Sequence, residues 1–208
     1  MSSRRVSKPD RNNMNPGMRQ NSSIREWYQS GSPSILVQGQ CLREAVFPGA
    51  FNPVHAGHLR MAEIAEEKLG VAPSFEISVE NVDKPPLSPE QLEQRLALFP
   101  EGSGVWLTRA PTFVEKARLF PEVTFVVGAD TLVRIGSPRY YQGRVSLRDT
   151  ALRGLTESGC RFLVFGRWNS GQFQTLEHLR LPASLRRICR GISESEFRED
   201  ISSTQLRQ

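Results

Sequence analysis

The chain has 208 residues and a mass of 23.4 kDa, enough for one sizeable core or one domain with a tail and too little for two full domains. Its 38% hydrophobic and 24% charged residues sit near the globular average, which excludes wholesale disorder and a fibrous repeat. Of the net charge of +5, residues 1–30 carry +4 (six basic, two acidic) and the remainder +1, so the high pI belongs to a tail and argues against a body that grips nucleic acid.

Residues 1–33 are rich in Ser, Asn, Arg, Gly and Pro and read as a disordered basic tail, with one helical turn within reach at residues 24–28. Residues 34–208 read as one domain. A short buried strand at residues 45–47 ends at Pro48-Gly49. A helix follows over residues 59–69, where Leu59, Ala62, Ala65 and Leu69 recur at helical spacing and Gly70 supplies the stop. Phe75, Ile77 and Val79 alternate, which predicts a strand over residues 74–80. Residues 89–99 form a helix capped by Ser88, with Pro89 in the first position and Gln91 completing a capping box.

A strand at 105–107 and a short helix at 112–119 come next, then a buried strand at 124–127 closed by Gly128. A helix over 147–155 and a buried strand over 162–165 complete the pattern. Strands alternating with helices at this rhythm predict an α/β fold, Rossmann-like, with a mostly parallel sheet and helices on both faces. No stretch approaches the ~20 apolar residues that span a bilayer, and the basic N-terminus lacks the apolar core of a secretory signal. Three distant cysteines, Cys41, Cys160 and Cys189, show no metal-ligand spacing and suit a reducing compartment, so a cytoplasmic protein is expected.

Residues 47–58 (Phe-Pro-Gly-Ala-Phe-Asn-Pro-Val-His-Ala-Gly-His) carry the chemistry. They join a buried strand to an amphipathic helix. Gly49 permits close backbone approach by a ligand, and Pro53 stiffens the loop. Gly57 and His58 fall at a helix start, where free N–H groups and the helix dipole favour an anion. His55 and His58 are three residues apart, so both can face one ligand. A metal pair is the other reading of two such histidines, but no third ligand is evident.

Later stretches fit the same chemistry. Asp130 follows the strand-closing Gly128 at the end of the sheet where α/β folds bind ligands, and suits a ribose hydroxyl or caps the helix after it. Lys84 lies in a proline-stiffened loop, one of only four lysines in the chain, and could meet a phosphate or simply face solvent. Arg207 follows Ser202, Ser203 and Thr204, a cap-like run that a nearby guanidinium turns into a candidate phosphate site. Arg167, after the last strand, is a weaker phosphate candidate.

Gly49, Phe51, Pro53, His55, Gly57 and His58 together resemble the signature of the nucleotidylyltransferases with a paired-histidine motif. Residues 127–132 (Val-Gly-Ala-Asp-Thr-Leu) and 201–207 (Ile-Ser-Ser-Thr-Gln-Leu-Arg) are similar to two further motifs of the nicotinamide/nicotinate mononucleotide adenylyltransferases within that class. The resemblance covers about residues 45–207. It implies adenylyl transfer from ATP to a pyridine mononucleotide, with His58, His55 and Arg207 catalytic. It implies Gly49, Ala50, Phe51, Lys84, Gly128, Asp130, Ser203 and Thr204 around the nucleotide. Trp106, Arg109 and Thr112 would hold the acceptor, an aromatic ring stacking on its pyridine. Mg²⁺ would be bound through the ATP phosphates, with no metal site made by the protein itself.

The first motif is shared with enzymes that transfer adenylyl to phosphopantetheine, or cytidylyl to choline phosphate or glycerol phosphate. A non-catalytic nucleotide-binding module is a second class, and a nucleic-acid binder resting on the tail alone a third. The chain ends at Gln208, where the resembled family usually continues with another helix, which leaves a homo-oligomer and closure of the site open.

Overall fold

The computed structural model describes residues 24–39, 43–169 and 171–198. In chain order these give α1 (Ile24–Ser30), β1 (Ser34–Gln38), β2 (Ala45–Pro48), α2 (Ala56–Leu69), β3 (Ser74–Ser78), α3 (Pro89–Leu96), β4 (Val105–Thr108) and α4 (Phe113–Leu119). There follow β5 (Thr124–Gly128), α5 (Ala129–Gly136), α6 (Val145–Glu157), β6 (Arg161–Phe165), β7 (Arg167–Asn169), β8 (Gln172–Gln174), α7 (Ala183–Arg186) and β9 (Cys189–Gly191), with short 3₁₀ turns at Pro138–Tyr141 and Leu176–His178.

Seven strands make one sheet in the order β1-β4-β3-β2-β5-β6-β9. Every neighbouring pair is parallel except β1 against β4. The fold is therefore α/β and Rossmann-like, as the alternation of elements predicts. After β2 the chain builds outward through β3 and β4, then returns to lay β5 on the other side of β2. The carboxyl ends of β2 and β5 thus flank the point where the winding reverses, the place where open α/β sheets bind ligands.

Strand alternation divides the core in two. Phe47, Phe75, Leu107, Val126 and Leu163 face the layer of α1, α2 and α3, packing on Trp27, Met61, Ile64 and Leu92. Val46, Trp106, Phe125, Val127 and Phe162 face the other layer, with Ala117, Leu132, Leu152 and Leu185. Every helix predicted from periodicity is present, with ends shifted by no more than three residues. Ser88 and Thr112 each accept a hydrogen bond from the backbone N–H three residues on and are answered by Gln91 and Glu115, two capping boxes that fix the starts of α3 and α4.

Three findings differ from the sequence reading. The single turn at 24–28 is a two-turn helix whose Trp27 is buried, and Arg25 pairs with Glu90 and Glu93 of α3, so residues 24–33 pack on the body. The edge strand β1 carries no clean alternation, since an edge strand is half solvated on both faces. Asp130 does not cap α5: the cap position is Gly128, and Asp130 lies in the first turn.

Charge is also unevenly spread within the folded body. Among the described residues, 24–123 carry nine basic and thirteen acidic side chains, a net −4, and 124–198 carry twelve and six, a net +6. The strand order puts the first group's strands on one side of the β2/β5 boundary and the second group's on the other.

Candidate active site

The loop from β2 to α2 is built around aromatic packing. Phe51 turns its ring back into the core at a φ of 41°, where it meets Phe47, His58, Phe75 and Phe99 with ring centroids 5.0–5.3 Å apart. A Cβ on Gly49 would lie 2.6 Å from the Phe51 ring, so this position must be glycine for the loop to close over its own phenylalanine. The Gly49 N–H donates to the Glu76 carbonyl of β3 (2.9 Å), and Arg95 of α3 donates to the Ala50 carbonyl (2.7 Å). Gly49 and Ala50 thus offer backbone at the head of a cleft. The Phe51 side chain, expected at the nucleotide, is 1% exposed and structural.

His55 occupies the cap position of α2 and His58 its third residue. Their rings lie against each other, centroids 3.7 Å apart. The His55 backbone N–H donates to His58 Nδ1 (3.3 Å), which leaves the His58 proton on Nε2 when the ring is neutral. Burial, then the neighbouring His55 and Arg167, push the His58 pKa down to about 3. At neutral pH His58 is an uncharged imidazole with one fixed donor.

The end of β5 faces this pair. A Cβ on Gly128 would come within 2.6 Å of Asp130 Oδ1 and 2.9 Å of Arg167 Nε, so only glycine leaves room for both groups over the strand end. Arg167, at the start of β7, lies 3.7 Å from Asp130 Oδ1. The structure therefore brings His55, His58, Gly128, Asp130 and Arg167 together across the winding reversal. Arg167, the weaker candidate by sequence, is the cation at this spot.

A cleft of about 310 Å³ leads away between β2, β3 and the loops after them, with Gly49, Ala50, Lys84, Arg95 and Arg134 among its walls. Lys84 is thus at the cleft. The buried floor holds an ion pair: Lys116 Nζ donates to both Glu76 carboxylate oxygens (2.7 and 2.8 Å) and to the Ala110 carbonyl (2.7 Å), and Thr108 Oγ1 also donates to Glu76. The far end opens into a more apolar recess of about 180 Å³ walled by Thr112, Phe113, Ile135, Tyr140 and Tyr141.

Two expected acceptor residues are elsewhere. Trp106 is 7% exposed, on the same face of β4 as Thr108 but two residues back from the strand's end, where it is edge-on to Phe120 (5.5 Å) and covered by Arg43 (4.7 Å) beneath α4. Arg109 is spent on α1: it donates to the Tyr28 carbonyl (2.5 Å) and lies over Trp27 and Tyr28. Thr112 does wall the recess while capping α4. The aromatic ring facing the cleft from this region is Phe113, the first residue of α4. Its signal in the sequence was its place directly after a cap at the carboxyl end of the sheet. Ser203, Thr204 and Arg207 lie outside the described residues.

A paired-histidine loop at the winding reversal of a parallel sheet, with a cation at the adjoining strand end, defines the nucleotidyltransferase class. The cytidylyltransferase-like family model matches residues 46–208, and the chain belongs to that family. A search of the curated proteins finds no match. Nucleotidyl transfer is the class of reaction, with nucleotides as substrates. No described helix is long and apolar enough to cross a membrane.

Proposed function

We propose that the protein transfers the adenylyl group of ATP to nicotinamide or nicotinate mononucleotide, forming a dinucleotide and pyrophosphate. The observation that carries this reading is the aromatic recess at the far end of the cleft, lined by Phe113, Tyr140 and Tyr141, which suits a flat pyridine ring. Glycerol phosphate has no use for such rings; choline's ammonium would, and the CTP arm of the test below separates that reading.

The acceptor's 5′-phosphate oxygen attacks the α-phosphorus, a new P–O bond forms, and the α–β bridging bond breaks to release pyrophosphate. The nucleophile is already anionic, so no general base and no covalent enzyme intermediate are needed. Catalysis is alignment plus stabilisation of charge on the transferring phosphoryl group. His58 Nε2 donates to that group, its orientation fixed by the hydrogen bond on Nδ1. His55 and the free N–H groups at the start of α2 contact the phosphates, and Arg167 adds charge beside them. Asp130 reaches a ribose hydroxyl. Lys84 and Arg95 lie along the cleft for the acceptor phosphate. Arg207, Ser203 and Thr204 would close on the triphosphate by resemblance.

Among the described residues no group of three His, Cys, Asp or Glu side chains is placed to hold a metal. Mg²⁺ would arrive on the ATP phosphates, where it neutralises charge. The test is pyrophosphate release from ATP with each pyridine mononucleotide, with phosphopantetheine, and from CTP with choline phosphate. Turnover confined to a pyridine mononucleotide supports the reading. Turnover only with another acceptor, or nucleotide binding with no pyrophosphate release, overturns it.

A further inference from the structure

The recess that would take the pyridine ring has one charged wall, Arg134 of α5, and that charge is already matched. Arg134 Nη2 donates to Asp83 Oδ2 from the loop after β3, and Arg134 Nε donates to Tyr140 Oη (3.0 Å). The guanidinium also lies over the Tyr140 ring, 5.0 Å from its centroid. Three elements on different sides of the recess are thereby tied at one residue: the loop after β3, α5, and the turn Pro138–Tyr141.

We infer that the Asp83–Arg134 pair sets the acceptor preference of this enzyme, selecting the uncharged amide ring over the ionised acid ring. The inference rests on the pyridine-nucleotide reading above. The two acceptors differ only in a carboxamide against a carboxylate. A carboxylate entering the recess needs a cation to replace its lost hydration. Arg134 already carries the Asp83 carboxylate, so a second carboxylate finds its charge matched and meets Asp83 beside the recess as a like charge. The amide asks for no cation, because its donors and acceptors are neutral. Rejection of the acid ring therefore comes from the Asp83 carboxylate, which already occupies the guanidinium and repels a second anion, a repulsive element of specificity.

The pair is half-exposed, with side chains 51% and 45% accessible, so it is screened and separable. The Asp83 backbone is held independently of the carboxylate, since its N–H donates to Asn81 Oδ1 (2.9 Å). Asp83→Asn thus keeps the turn and removes only the negative charge.

The experiment measures kcat/KM for ATP with nicotinamide mononucleotide and with nicotinate mononucleotide, in the full chain and in the Asp83→Asn and Arg134→Gln variants. The wild type should favour the amide. Asp83→Asn should move the amide-to-acid ratio about two- to fivefold toward the acid, by raising acid turnover. Arg134→Gln, which leaves the Asp83 carboxylate beside the recess without its cation, should move it toward the amide. A general loss of structure lowers both acceptors together and leaves the ratio in place. A wild type that favours the acid, or a ratio unmoved by Asp83→Asn while both acceptors are turned over, overturns this inference and leaves the proposed function standing. Failure of the wild type with both pyridine mononucleotides overturns the two together.

Discussion

His58 should make the fold sensitive to mild acid, by an amount that follows from its surroundings. Its pKa is lowered from 6.5 to about 3, chiefly by burial. Below pH 6.5 the unfolded chain takes up a proton that the folded chain refuses, so stability falls with falling pH. Linkage over that interval gives a loss of about 2 kcal/mol between pH 7 and pH 5. The figure barely depends on the folded value, provided it stays below about 4. For a domain of this size it corresponds to a melting temperature lower by roughly 4–8 °C. His58→Asn keeps an acceptor near the place of Nδ1 for the His55 N–H and removes the titration. Urea denaturation of both proteins at pH 7 and pH 5 isolates the effect, because the other titrating groups are common to the pair. The variant should lose about 2 kcal/mol less than the wild type over that range. Parallel pH profiles would show that His58 is readily protonated in the folded protein, and with that its role as a neutral donor would fall.

Other outcomes follow from the same geometry. His58→Ala should lower kcat far more than it raises KM, since its donor acts on the transferring phosphoryl group; equal turnover in steady-state kinetics would remove it from the chemistry. Gly128→Ala forces Asp130 and Arg167 off the strand end but meets only flexible side chains, so activity should drop at least tenfold with little change in melting temperature. Lys116→Met strands the buried Glu76 carboxylate and should cost about 3–5 kcal/mol by chemical denaturation, much of it recovered by adding Glu76→Gln; a cost below 1 kcal/mol would mean that Glu76 is not ionised. Trp27→Ala should cost about 3–5 kcal/mol if α1 belongs to the folding unit, and almost nothing if it is a loose appendage.

Much of this architecture was legible before any coordinates, for reasons that differ by element. The helices α2 and α6 repeat apolar residues at helical spacing, α3 is announced by its Ser88, Pro89 and Gln91 capping signals, and the buried strands β2, β5 and β6 are short continuous apolar runs between turn residues. The paired-histidine loop was legible because its chemistry is local: glycines, a proline and two imidazoles within ten residues of a helix start. Trp106 and Phe113 mark where local reasoning stopped. Both are large aromatics around the end of β4, and what separates them is depth: Trp106 lies back along the strand under α4, while Phe113 opens that helix at the cleft. Arg109 and Arg167 are a similar contrast. The first is claimed by α1, a partner some eighty residues away, and the second is brought beside His58 by a hairpin that residue types alone do not announce. Glu76 and Lys116 were hidden too, since a charge inside a strand reads as solvated until its distant partner is known.

The division of charge across the sheet has an electrical consequence. Among the described residues, an acidic flank and a basic flank on either side of the β2/β5 boundary give a charge asymmetry lying roughly along the strand order. A polyphosphate diffusing nearby drifts toward the basic flank and is repelled from the acidic one, so encounters are funnelled to the seam from a single hemisphere. Added electrolyte shortens the reach of that field, so the association rate constant should decline with ionic strength even though the whole chain carries only a small excess of positive charge.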